Sequence, residues 1–434
     1  MLSFLLYSIL PFLFILGFCI TIHEFGHFLF AKLFHIPVEK FSIGYGPALI
    51  RKKIGETDFR IAYFPLGGYV KMAGEEEGEI IKHDEKSEQK GKELPGFYDA
   101  PVYKRILVVF NGPLFNIFSA FLVLLLSFII YGLTVNPYMK IEVEKGSYYE
   151  KVGFLTNDSI IAVNGQYVGN WEELWEIVEH EHDVTVTVQR DGKQAHIEVI
   201  FYADSTGLMP LIPPLVGSLK RRGPADKAGL KKGDQILKID DEQIHNWHQM
   251  VAIVRARRNV PLQFTWQHEG EIQVAHITPT SAYDPISQDT VGQIGIFVPH
   301  SKKFLSTIDA LTLSMKRTLQ LLWRMLGIFY QLVTRQISTK QIGGPIAIFR
   351  LSTESAQWGF EHLLGLLVII SINLGLINLF PIPALDGGHI LISTVEAIRR
   401  KRFTKKTRLV IQQIGYAIIL FLIIFVTFND LTRR

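Results

Sequence analysis

The chain has 434 residues, of which 48% are hydrophobic, with 45 Lys and Arg against 41 Asp and Glu for a net charge of +4. That length suits two or three soluble domains, but composition changes so sharply along it that the average misleads. The small positive surplus follows the loops between apolar runs and gives no ground for nucleic-acid binding, and a single cysteine, Cys19, excludes any disulfide within the chain.

The first run, Met1 to Ile22, carries no charge and is long enough to span a bilayer. It has no basic start and no small-x-small cleavage site before His23, so it reads as a retained first span and not a cleaved leader. At its inner end stand His23, Glu24 and His27, a His-Glu-x-x-His motif. Titratable groups beside a membrane segment are costly, which makes them a functional site by default. On a helix, positions i and i+4 share a face, so both histidines can offer a ring nitrogen to one zinc ion. Glu24 lies about 100° round the helix, beside the ion and not on it, where a carboxylate can take a proton from bound water. A pair of helix-end histidines at the membrane interface is the competing reading. Cys19, on the face of His23, reads as a packing residue.

Residues 34 to 105 carry Arg51, Lys52, Lys53, Lys104 and Arg105 and belong inside. Within them Asp58 to Met72 alternates apolar and polar residues around Pro65-Leu66-Gly67-Gly68, as a hairpin would, with an edge open to a further strand. The acidic run Glu75, Glu76, Glu77 and Glu79 reads as a solvated loop. A second span, Ile106 to Val135, contains Asn111, Gly112, Pro113 and Asn116, which on their own residues read as a kinked packing element.

Residues 153–178 and 229–254 superpose at a constant shift of 76: Asp158 on Asp234, Ile160 on Ile236, Asn170 on Asn246, Trp171 on Trp247, Ile177 on Ile253, Val178 on Val254. Two copies of one small α/β domain follow. Each has an Asp-bearing turn, a short strand and an amphipathic helix opened by Asn and Trp. The second, Ala228-Gly229-Leu230-Lys231-Lys232-Gly233-Asp234-x-Ile236, resembles a PDZ domain, and the first differs in having Asn157 where the second has Gly233. Beyond the copies, Arg317, Gln320, Arg324, Gln331 and Arg335 form one helical stripe among apolar residues. This fits either a helix lying on the outer membrane surface or an ordinary packed helix.

The third span, Leu363 to Leu385, holds the buried amides Asn373 and Asn378, which suit interhelical hydrogen bonds, and ends at Asp386-Gly387-Gly388-His389. Catalytic zinc usually takes three protein ligands and a water, so a third is needed. Asp386 lies about 23 residues down its span and His23 about 22 down its own, roughly 33–35 Å at helical rise, and both spans run the same way. Pro381 and Pro383 should break the helix just before it. The alternatives are Asp386 as a plain turn residue and His389 as the ligand. The cluster Arg399, Arg400, Lys401, Arg402, Lys405, Lys406 and Arg408 should stay cytoplasmic, which places the N-terminus and residues 136–362 outside; a fourth span, Leu409 to Phe428, follows.

His23-Glu24-x-x-His27 in the first span, Asn111-Gly112-Pro113-x-x-Asn116 in the second and Leu385-Asp386-Gly387 in the third resemble the site-2 protease family of intramembrane zinc metalloproteases, over nearly the whole chain. The resemblance implies a polytopic α-helical membrane protein: a four-helix metalloprotease core with an inserted pair of α/β PDZ domains and a cytoplasmic-side β-hairpin. Its parts would be 1–33 (first helix), 34–102 (hairpin segment), 103–136 (second helix), 137–205 and 206–283 (PDZ copies), 284–360 (linker and amphipathic helix), 361–392 (third segment), 393–408 (basic loop) and 409–434 (fourth helix). It implies one Zn2+ on His23, His27 and Asp386, Glu24 as the base, Asn111, Gly112, Pro113, Asn116 and Asn378 near the active site, and substrate contacts from Asn373 and from Gly67, Gly68 and Tyr69 of a membrane-dipping hairpin. Implied partners are single-span membrane proteins, peptide ends at the PDZ copies and lipid. The substrates would be an anti-sigma factor already trimmed outside by another protease and leftover signal peptides, in the bacterial inner membrane with the PDZ pair periplasmic. The other reading is a non-catalytic membrane PDZ scaffold with a structural zinc.

Overall fold

In the computed structural model, residues 4–74, 96–201, 207–284, 289–337 and 343–432 are described; the acidic run from Glu75 to Glu79 lies outside them. The chain divides into two compact units, Met1–Ile130 with Leu305–Arg434, and Tyr131–Phe304.

Among the described residues four helices are long and apolar enough to cross a membrane: Leu5–Leu33, Val102–Tyr131, Phe360–Asn378 and Lys406–Thr432. The first runs past Ile22 to Leu33, so the His-Glu-x-x-His motif sits inside the helix and not at its end. Nothing in its sequence breaks it until His35 takes a positive φ of 59° and Pro37 disfavours helix at the residue before. The third span is shorter than expected and stops at Asn378, ahead of Pro381 and Pro383, and a separate helix, Asp386–Arg399, begins at the aspartate. Much of what read as a basic loop is therefore helical, up to Arg399.

Between the first two spans lie strands β1 (Val38–Ile54) and β2 (Thr57–Met72). The turn joining them is Gly55-Glu56, with Ile54 opposite Thr57 and Gly55 at φ +62°, and not Pro65–Gly68 as the alternation predicted. A two-residue loop with glycine first matches the twist of the flanking strands. Residues 65–68 stay extended within β2. Both strands curl, so that Lys40 faces Lys71 on one side and Asp58 on the other. Arg60 and Arg51 grip the buried Asp58 and hold its carboxyl below the ordinary carboxylate range. Phe28 of the first span packs edge-on against Phe41 and Phe59, which seats this ribbon on the helix carrying the histidines.

The helix Thr307–Val333 packs Leu321, Leu322, Met325 and Phe329 against Ala120, Val368, Ile372 and Leu376 of the second and third spans. Arg317 and Arg324 are on its exposed side, whereas Arg335 falls beyond its end at φ +59°. One face is thus an ordinary packed face; Trp323, 74% exposed, marks the other.

In the second unit each repeat has its own core. The sheet of the first runs Gln166–Tyr167, Ser159–Val163, Asp183–Arg190, Lys193–Ile200, and that of the second runs Glu242–Gln243, Gln235–Ile239, Leu262–His268, Glu271–Ile277 in the same order. The register even slips at the same place, after Ile160 in one and Ile236 in the other. Asn170 and Asn246 cap the helices Trp171–Val178 and Trp247–Ala256, each accepting the amide three residues on. Asn157 and Gly233 share a left-handed backbone, φ +79° and +95°, a conformation asparagine tolerates better than most residues, so this difference between the copies leaves the turn intact. The second repeat extends past residue 283: Ile294 belongs to its core and Ile296–Phe297 pairs with Ser218–Leu219.

Candidate metal centre

The first span turns His23 and His27 to one side, and both are buried at 8% exposure. The chain reversal after Asn378 brings Asp386 to them from the opposite end of the sequence. His23 Nε2 lies 3.0 Å from Asp386 Oδ2, His27 Nε2 lies 3.5 Å from Asp386 Oδ1, and the two Nε2 atoms are 3.2 Å apart. Tetrahedral zinc bound at about 2.0–2.1 Å needs ligand atoms roughly 3.3 Å from one another, and two imidazole nitrogens 3.2 Å apart beside a carboxylate whose two oxygens lie 3.0 and 3.5 Å from them fit one ion. Among the described residues this is the group of three His, Cys, Asp or Glu side chains arranged in that way. His389, the rival ligand, is not in it.

Each histidine is held from behind. His27 Nδ1 lies 3.0 Å from the Val108 carbonyl, which accepts its proton and leaves Nε2 free for metal. His23 Nδ1 lies 3.3 Å from the Asn116 carboxamide. With Nε2 committed to a metal, Nδ1 carries the hydrogen and needs an acceptor. The Asn116 oxygen, buried without a partner as assigned, meets that need when the amide is turned over. Asn378 approaches His23 Nε2 at 3.5 Å from the third span.

Glycines allow this convergence. A Cβ on Gly112 would overlap the His27 imidazole and come within 3.0 Å of His23, and one on Gly26 would overlap the Asn111 carbonyl. The first and second spans therefore touch backbone to backbone at the motif. A Cβ on Gly375 would stand 2.9 Å from the Pro113 carbonyl, and Ser371 Oγ donates to the Asn116 carbonyl at 2.8 Å, which closes the third span on the second at the same depth. Pro113 has no N–H for Val109, which loosens the turn from which the Val108 carbonyl reaches His27.

A cavity of about 290 Å³ opens beside the three donors, lined by Ile20, His23, Glu24, Tyr45, Gly67, Gly68, Leu374, Asn378, Ala384, Leu385 and Asp386. Glu24 faces it without joining the donor set, as a base should. The Val70 amide reaches its carboxylate from β2. Gly68 lies so close that a Cβ would be 3.1 Å from Glu24 Cγ and 2.9 Å from the Ser42 carbonyl, and Tyr45 donates its hydroxyl to the Gly68 carbonyl at 3.1 Å. Tyr69 stacks on Tyr45 with centroids 6.0 Å apart. Asn373 is half-buried on the third span, and the lining from that helix is Leu374 and Asn378.

Reasoning from the sequence missed Gly26, Val108 and Tyr45. Gly26 had a signal, a glycine within the motif of a membrane helix, where small residues mark close approach. The Val108 carbonyl had none, since every residue carries one.

Two histidines of one helix, a carboxylate opening another and a glutamate beside them thus lie together among membrane-length helices, a group that could hold a metal ion. The model of "Peptidase family M50" matches residues 11–422, and the chain belongs to that family, the site-2 proteases. The regulator of sigma-E protease RseP of Escherichia coli is 30% identical over all of both chains, and the zinc metalloprotease RasP of Oceanobacillus iheyensis is 29% identical over 98% of this chain and 99% of its own. A PDZ domain of an SdrC-like protein from Listeria monocytogenes aligns with 19% of this chain and 84% of its own at 24% identity and a TM-score of 0.17.

Proposed function

We propose that this bacterial membrane protein is a zinc-dependent intramembrane endopeptidase that cleaves the spanning segments of single-span membrane proteins. The observation that carries this reading is that Asp386 stands 3.0 Å from His23 Nε2 through one carboxylate oxygen and 3.5 Å from His27 Nε2 through the other, with the two Nε2 atoms 3.2 Å apart and Glu24 on the wall of the same cavity. His23, His27 and Asp386 would hold a zinc ion, which would supply polarisation of a scissile carbonyl and a water of lowered pKa. Glu24 would serve as the base that takes a proton from water and gives it to the leaving amine.

A peptide bond within a membrane helix is shielded by its own hydrogen bond and must be drawn out straight. Gly67, Gly68 and Tyr69 supply an extended edge next to Glu24, to which an unwound substrate adds as a strand. Asn378, and Asn373 on the same helix, hold the substrate backbone that has lost its helical partners. The two repeats act as a PDZ pair on the periplasmic side of the inner membrane, with the basic segment around residues 399–408 cytoplasmic. The similarity to a regulator of sigma-E protease supports an anti-sigma factor already trimmed outside as substrate, with leftover signal peptides as a second class.

Glu24→Gln protein reconstituted with a single-span substrate should keep its zinc and lose turnover by about 10²–10⁴-fold, whereas Asp386→Asn should lose the zinc itself. Cleavage by Glu24→Gln at near the unsubstituted rate would remove the base. Unchanged zinc together with no cleavage by any form would return the protein to the scaffold reading.

A further inference from the structure

The helix that begins at Asp386 ends in a buried ion cluster. Glu396 lies ten residues along it, about 15 Å at helical rise, and is 3% exposed. Its Oε2 accepts from Arg105 Nη1 at 2.9 Å, and its Oε1 accepts from Arg408 at 2.7 Å and from the Phe403 amide at 2.9 Å. Arg105 is 2% exposed and Arg408 is 7% exposed. Arg408 also lies over the Tyr98 ring, 4.1 Å from its centroid. Three charges are thus withdrawn from water, two of them, Glu396 and Arg408, in the stretch 393–408 that reads as a basic cytoplasmic loop. Burial on this scale costs several kcal/mol per ion before pairing, which makes the cluster weak grounds for stability and good grounds for asking what geometry it enforces.

Arg105 stands one turn before Val108, whose carbonyl holds His27, and on the helix that carries Gly112 and Asn116 against both histidine rings. Glu396 stands on the helix that carries Asp386. The Arg105–Glu396 bond therefore joins the element that orients the first two ligands to the element that supplies the third. Arg408 grips the same carboxylate from the fourth span, which contributes no donor to the centre.

We propose that Arg105 and Glu396 are positioning residues that set the register of the Asp386 helix against the second span and so place the aspartate for the metal, whereas Arg408 anchors the fourth span. This rests on the metal centre as read above. Asp386 is not a free turn residue that finds the ion by itself; it is delivered at the spacing of the two histidines by a strut about three helical turns long.

Two variants separate this from a merely structural role, because each leaves Glu396 paired with the remaining arginine. In the full-length protein Arg105→Met should raise the zinc dissociation constant by about 10-fold, the low end of what loss of a group bonded directly to a metal ligand does, while lowering the thermal midpoint less than Arg408→Met. Arg408→Met, which loses two hydrogen bonds and a ring contact, should lower the midpoint more and leave zinc affinity near that of the unsubstituted protein. Hydrogen exchange at Gly387–Ile390 in the metal-free protein should quicken in the first variant and not in the second. Should Arg105→Met fail to fold, Arg105→Lys keeps the charge, loses the guanidinium and permits the same comparison. Zinc affinity falling in step with the midpoint in both variants, or equal exchange in both, overturns the proposal. If the unsubstituted protein takes up no zinc, the metal reading fails, and the exchange comparison still decides the strut.

Discussion

Each unit of the molecule contains a close histidine–aspartate pair with one partner buried, and the two pairs do unlike things. In the insert His268 Nδ1 meets Asp234 Oδ1 at 2.6 Å, while the second aspartate oxygen takes the Lys231 amide at 2.8 Å and the second histidine nitrogen faces Lys231 Nζ at 3.2 Å. Every polar atom is spoken for. In the first repeat Arg190 occupies the corresponding place and holds Asp158 by two bonds of 2.7 Å, the strands pairing Ser159 with Gln189 and Gln235 with Gln267 just before. A position that accepts arginine or histidine is asking for a hydrogen-bond donor, and the aspartate there staples a turn. In the membrane unit Asp386 meets two histidines whose far nitrogens are already tied to Val108 and Asn116, and a cavity adjoins them. The insert in fact has the larger of these two cavities, about 470 Å³ around Tyr138, Pro213 and His245, with no such set of donors among the described residues. What marks a metal site is the convergence of lone pairs whose other ends are anchored, and neither a short His–Asp contact nor the size of a pocket.

The contrast breaks most visibly at Gly112. Gly112→Ala places a methyl group inside the His27 ring, so the second span must back away, and the zinc dissociation constant should rise at least about 10–100-fold; unaltered affinity by chelator competition would mean that the second span is not the wall of the centre. A smaller effect is expected from Asp234→Asn. It should cost about 1–3 kcal/mol of insert stability in denaturant melts followed by tryptophan fluorescence, through a buried network left half-paired. Zinc content and cleavage of a short single-span substrate should not change, and a fall in either would give the insert's pair a role that its closed geometry denies. The smallest change is His268→Arg, which copies the first repeat's pairing into the second. Stability should move by less than about 1 kcal/mol in the same melt, and a collapse of the second repeat would show that the two aspartates are not equivalent.

Most of what proved legible is local. The spacing of His23 and His27, the charge-free spans, the capping asparagines and the shift of 76 between the repeats all concern neighbours along the chain or plain self-similarity. Asp386 could be matched to the histidines because depth in a bilayer converts residue count into distance. Where local patterns had two outlets they misled. The alternation of Asp58–Met72 is real, but it belongs to one long strand, and the turn lies before it at Gly55-Glu56. The second repeat closes with Ile296–Phe297, more than seventy residues after the strand it pairs with, so its edge was drawn too early. Arg105 and Arg408 counted only as loop charges because nothing nearby in sequence reveals that Glu396 lies between them.

By itself the chain of residues determined which groups could do chemistry and the depth at which they would lie, since helical period and hydrophobic length act over a few turns. The tertiary structure alone decided that the Asp386 carboxylate reaches both histidines, that Val108 and Asn116 back the rings, and that the helix opened by Asp386 is bonded to Arg105 through Glu396. Those outcomes depend on three spans closing without side chains between them at Gly26, Gly112 and Gly375. Contact between distant backbones is a property of packing, which no short stretch of sequence contains.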